Sequence, residues 1–219
     1  MTQSKEMRTI LRSLLIGAFV VTTFSSAVVQ KIEYKRYKYK SGYIEYKYTG
    51  DQTGSETLYF DDHGMTLAKH TNAYLKSDEG NRSIQKLDLI KGGHQYLIDL
   101  KTNSGTRTVD PTIKGLEEGE VHDLTKLAEE NFLKLGAEKI GTDKVAGKEC
   151  TVWELSNLYL KVWIWEGFVL RTTTKEPDGG EINMYAWDVQ MNAPVPEDKL
   201  RVPPGANITE EETDIDTEK

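Results

Sequence analysis

Alternation of apolar and polar positions, rather than helical spacing, dominates this chain. Between residues 42 and 50, Ile44, Tyr46 and Tyr48 fall on one side of an extended backbone and Tyr43, Glu45 and Lys47 on the other. That period of two predicts a strand. Just upstream, Tyr37 and Tyr39 alternate with Lys38 and Lys40, which predicts a second strand, separated from the first by Ser41-Gly42. In "RSIQKLDLIKGGHQYLIDLKT" two alternating runs flank Gly92-Gly93, a two-residue hairpin loop. This turn sets Leu89 opposite Tyr96, Leu87 opposite Ile98 and Lys86 opposite Asp99. Apolar then meets apolar and charge meets opposite charge, so the register is self-consistent. "YFDDHGMT" supplies another turn, with Asp61 and Asp62 ahead of Gly64.

The densest stretch is "ECTVWELSNLYLKVWIWEGFVLRTTT", residues 149–174. Turns at Ser156-Asn157 and Glu166-Gly167 make it a three-stranded meander. One face collects Trp153, Leu155, Leu158, Leu160, Val162, Ile164 and Val169. The other collects Cys150, Val152, Tyr159, Trp163, Trp165, Phe168 and Leu170. A sheet with one face in water does not carry two apolar faces, so both must be covered. Trp153 is expected in close-packed core. The opposite face either fills with its own side chains or lines an apolar cavity, with Tyr159, Trp163, Trp165, Phe168 and Leu170 as the candidate ligand-binding residues.

Helix is scarce. In "EGEVHDLTKLAEENFLKLGAEK" Leu124, Leu127, Ala128, Phe132 and Leu135 return at three- and four-residue intervals, which predicts one amphipathic helix able to lie across an open sheet mouth. A long alternating strand, "EINMYAWDVQMN", follows later, and then a proline-bearing segment with Pro194, Pro196, Pro203 and Pro204. Residues 209–219, "TEEETDIDTEK", are acidic and carry no aromatic residue, which predicts a disordered tail. At the other end, Lys5, Arg8 and Arg12 precede the apolar run "SLLIGAFVVTTF" and then Ser25-Ser26-Ala27. A basic start, a short apolar middle and small residues at a cleavage point predict a signal peptide over 1–27. The run is too short to cross a bilayer. The expected organisation is a leader at 1–27, one β domain at 28–208 and the tail at 209–219, with no transmembrane segment in the mature chain.

Composition narrows the function. The net charge of −7 argues against nucleic acid as a partner, so the Tyr–Lys run at residues 31–50 reads as strands with solvated lysine faces. The single cysteine, Cys150, excludes an internal disulfide and reads as a small buried hydrophobe. No phosphate-cradling "GxxxxGK", "GxGxxG", "GxSxG" or "HExxH" occurs. The four histidines, His63, His70, His94 and His122, lack metal-ligand spacing. No enzyme activity, cofactor or metal is expected.

The segments "SGYIEYKYTG", "GSETLYFDDHG", "VAGKECTVWEL", "KVWIWEGFVLR" and "MNAPVPEDKLRVPPGANI", in this order, resemble the bacterial envelope proteins of the LolA-like lipoprotein-carrier group, over roughly residues 41–208. The resemblance implies a mainly β fold, an unclosed antiparallel barrel with one or a few helices across its mouth, in the periplasm. It also implies an apolar cavity for lipid or lipoprotein acyl chains. Two functions follow as expectations: a carrier or sensor of an apolar ligand, or a structural and interaction module whose sheet is filled by its own side chains and which binds other envelope proteins through the Tyr–Lys edge.

Overall fold

The computed structural model describes residues 35–76, 80–110, 132–175 and 179–211. The expected leader, most of the expected amphipathic helix and the end of the tail lie outside these residues. Twelve strands follow one another in the chain: β1 (Gly42–Gly50), β2 (Gln52–Asp61), β3 (Thr66–Leu75), β4 (Arg82–Lys91), β5 (His94–Asp99) and β6 (Ser104–Val109), then β7 (Glu138–Val145), β8 (Lys148–Leu155), β9 (Leu160–Trp165), β10 (Phe168–Lys175), β11 (Glu181–Met191) and β12 (Asn207–Glu210). They form one sheet in the order β12-β6-β5-β4-β3-β2-β1-β11-β10-β9-β8-β7. Every pairing is antiparallel except that of β12 with β6. The first and last strands do not meet, so the expected unclosed antiparallel barrel is the fold that forms.

The hairpin register read from the sequence holds at each position: Lys86 pairs with Asp99, Leu87 with Ile98 and Leu89 with Tyr96. β12 runs through Glu210, and the Glu211 amide donates to the Arg107 carbonyl at 3.0 Å. The domain boundary drawn at residue 208 therefore falls inside a strand, because Ile208 packs under the sheet and brings its acidic neighbours with it.

Cross-strand partners separate the two faces. Trp153, Val162, Thr172, Met184 and Tyr48 form one row and Val152, Trp163, Arg171, Tyr185 and Lys47 the next, pointing the other way. Three irregularities interrupt the pattern, at Glu45/Tyr46 against β11, at Val169/Arg171 against β9 and at Lys139/Gly141 against β8. Such bulges bend strands and increase twist. The β10–β11 ladder covers only Arg171–Lys175, and the Val169 carbonyl instead accepts the Tyr46 phenol at 3.0 Å.

Both faces are covered, as two apolar faces require. On β3–β5 the outward residues Ala68, Leu87, Leu89 and Ile98 are sealed by Leu200, Val195, Val202 and Ile208 of the C-terminal segment. The Lys91 ammonium and the His70 ring hold that segment through the carbonyls of Leu200 and Lys199. On β8–β10, Trp153, Leu155 and Val162 pack with Ala137 and Phe132, where residues 132–134 end a helix. Phe132 stacks on Trp153 at 6.1 Å. Leu135, expected on the apolar stripe, is exposed, because the helix stops short of it at Lys134.

Residues 35–40, expected as a strand, are instead a bent strap. The amides of Arg36 and Tyr37 both donate to the His63 carbonyl at 2.9 Å, and the His63 amide donates to the Lys40 carbonyl at 2.9 Å. Their hydrogen bonds thus go to a turn, since β1 already has β2 and β11 on its two edges. Alternation survives without the ladder: Tyr37 stacks on Phe168 at 3.9 Å and Tyr39 on Trp165 at 5.6 Å, while Lys38 and Lys40 face water. Gly64 makes the fit possible, because a Cβ there would stand 2.6 Å from the Tyr37 ring.

Candidate functional site: a cavity on the concave face

Gln95 of β5 and Phe168 and Val169 of β10 line the same cavity, of about 590 Å³. In the sheet they stand six strand spacings apart, about 29 Å if the sheet were flat. The sheet therefore curls, and the cavity lies on its concave face. The strap confirms the curl: Arg36 pairs with Asp110 just beyond β6, while the adjacent Tyr37 rests on Phe168 at the start of β10.

The apolar part of the wall comes from Leu58, Leu67, Ile90, Phe168 and Met184, closed at one end by Tyr37. The polar part comes from three neighbouring strands. On β2 Glu56, 8 % exposed, accepts the Tyr48 phenol at 2.8 Å and the Thr71 hydroxyl at 2.7 Å, both at Oε2. Thr71 stands directly opposite Glu56 on β3, and Lys86 opposite Thr71 on β4. One step along, the Lys69 ammonium lies 3.5 Å from the Asp88 carboxylate, which also accepts from the Gln95 amide at 3.1 Å. Burial, reinforced by the Glu56 carboxylate, pushes the Tyr48 phenol far above its usual range. Burial does the same to Tyr46, with smaller contributions from Tyr37, Glu56 and Tyr48.

Of the five residues expected to line a cavity, Phe168 does so here. Tyr159 is 61 % exposed, held in the left-handed region at φ 50° where it caps the turn of residues 156–158. Trp163, Trp165 and Leu170 belong to the core that contains Phe168. Trp163 shares a face of β9 with Trp165, which pairs with Phe168. The Trp163 ring carries the Arg171 guanidinium 4.4 Å above it, and its Nε1 donates to Asp143 at 3.0 Å. The hydrogen bonds from Lys144 and Trp163 lower the Asp143 carboxyl below its usual range. A second hollow, of about 470 Å³, is lined by Lys144, Arg171, Glu181 and Tyr185. Trp153 packs with Ala137, Leu155 and Val162 in a cluster apart from the core that holds Trp163 and Phe168, and it is close-packed at 6 % exposure, as expected.

Glu56, Lys69, Lys86 and Asp88 escaped the sequence reading because each looks like an ordinary polar position in an alternating strand. A signal was present. Glu56 shares phase with Leu58 and Phe60, Lys69 with Leu67, and Asp88 with Ile90, so charges sit on the inward parity. Cys150 is fully buried, and burial raises its thiol above the ordinary value, which keeps it unreactive at neutral pH. Among the described residues, no group of three metal-type ligands is present and no helix is long and apolar enough to cross a membrane.

No protein-family model and no curated protein sequence matches the chain. Solved structures do. An uncharacterised conserved protein from Thermus thermophilus superposes with a TM-score of 0.51 at 9 % identity, over 80 % of this chain and 92 % of the other. This likeness shows the fold alone. The MucA/MucB complex of Pseudomonas aeruginosa gives a TM-score of 0.39 at 12 % identity, over 74 % of this chain and 56 % of that one. LprF from Mycobacterium bovis gives 0.33 at 11 % identity, over 78 % and 91 %.

Proposed function

We propose that this chain is an exported, non-enzymatic binding protein that holds the apolar chain of a lipid or lipoprotein in its half-barrel, as a carrier or sensor. The observation that carries the reading is the concave cavity itself. Its volume of about 590 Å³ falls within the few hundred to one thousand Å³ typical of small-molecule sites. Its apolar wall beside a small set of placed polar groups is the composition such sites show. The likeness of residues 41–208 to LolA-like carriers supports the same reading. Purified protein extracted with organic solvent should release a co-purified lipid, identified by mass spectrometry at near one per chain. Extracts that contain none overturn it.

The leader-type pattern of residues 1–27 supports export to the periplasm. N-terminal sequencing of envelope-fraction protein should begin near Val28, and an intact Met1 contradicts the proposal. One observation favours the second reading, a structural module that binds other envelope proteins. The strap seats Tyr37 and Tyr39 on Phe168 and Trp165, so part of the aromatic surface expected to meet a ligand is already filled by the chain.

A further inference from the structure

Glu56 is the most deeply placed charge on the cavity wall. Two hydroxyls, from Tyr48 and Thr71, converge on its Oε2. Among the described residues, none gives its Oε1 a hydrogen bond or ion pair, and this oxygen is not one of the fully enclosed unpartnered atoms. A carboxylate taken this far from bulk water is costly unless both oxygens are satisfied. The lysines nearby do not satisfy it. Lys69 is engaged with Asp88, and Lys86 stands beyond Thr71, two strands away and exposed. The apolar surface begins immediately beside it, at Leu58 on the same strand and face.

An acceptor with one open oxygen next to an apolar wall fits a particular amphiphile. We infer that the cavity takes an alkyl chain bearing a primary ammonium group, whose N–H donates to Glu56 Oε1 while the chain lies against Leu58, Leu67 and Ile90. This rests on the cavity reading above and deepens it by naming the head group. A fatty carboxylate of the same length meets the Glu56 charge at that position and is disfavoured there. Lys86 at the rim attracts anions but makes no ion pair with Glu56.

Displacement of the neutral fluorophore N-phenyl-1-naphthylamine from the full-length protein tests the inference. Decylamine, decanoic acid and decanol serve as competitors of equal chain length. Decylamine should compete about tenfold more tightly than either of the others, the scale of one charge-assisted hydrogen bond. Glu56→Gln, checked for fold by circular dichroism, should erase that preference and keep fluorophore binding. If that variant does not fold, Lys86→Gln replaces it. Removing this rim cation should leave decylamine binding equal or stronger, and a loss overturns the inference. Equal affinity for all three competitors, or tighter binding of decanoic acid, overturns the ammonium head and leaves the cavity reading standing. A parent protein that binds neither fluorophore nor competitor overturns both.

Discussion

Tyr37 shows how one side chain ties pH to stability. Burial against Phe168 and Phe60 raises its phenol, Arg36 lowers it less, and the result is pushed up to about 12. The unfolded chain releases that proton near the ordinary value of about 10. Below that value both states keep the proton and the full stability is present. As pH climbs from about 10 towards 12 the unfolded state holds fewer protons than the folded one, so stability falls. Tyr46 and Tyr48, raised in the same direction, add to the loss. Urea midpoints should drop between about pH 9.5 and 11.5, and Tyr37→Phe should flatten part of that slope. An unchanged slope contradicts the burial of this phenol. Trp153 and Tyr159 make the complementary comparison. Trp153→Ala should cost about 3–5 kcal/mol because it removes a ring close-packed under Phe132, Leu155 and Val162. Tyr159→Ala should stay within about 0.5 kcal/mol, because the ring stands in water. Chemical denaturation of the two variants checks both. Residue identity let the packing of Trp153 be read from sequence but not the exposure of Tyr159. Its period-two phase was broken by the left-handed turn at residues 156–159, which alternation does not register.

At the scale of elements, hairpins were the most legible feature. Gly92-Gly93 and the flanking charges settle a register locally, and pairing across β4 and β5 follows it residue for residue. The strap was not legible, because Tyr37-Lys38-Tyr39-Lys40 has the same alternation whether its amides pair with a strand or with the His63 turn. What decides is that β1 has no free edge, a property of the whole sheet. The basic run makes a testable point of its own. Lys38 pairs with Glu166 at an exposed position and Lys47 lies 4.9 Å over the Trp187 ring. Interactions of this kind contribute little. Changing Lys38, Lys40 and Lys47 to Gln together should therefore shift stability by about 1 kcal/mol at most. Titration of the parent with single-stranded oligonucleotide should show no salt-sensitive binding at micromolar concentration, and such binding contradicts the reading of these lysines as solvated faces.

For the whole molecule, the sequence carried the unclosed sheet but not the curl that makes a cavity on one face of it. The meander's two apolar faces looked equivalent, and aromatic content favoured the Trp163–Trp165 side. The curl is what distinguishes them, and it depends on the bulges at Trp187 and Leu170 and on a strap that joins Asp110 to Phe168. None of these is a local pattern. This curl leaves an accessible apolar hollow bordered by Leu58, Met184 and Phe168. Binding of N-phenyl-1-naphthylamine to the parent and to Met184→Trp, whose larger ring occupies the hollow, tests it most directly. The parent should bind the fluorophore at micromolar concentration, and the variant, with an unchanged circular dichroism spectrum, should lose that binding. A parent that fails to bind, or a folded variant that binds as well as the parent, contradicts the account.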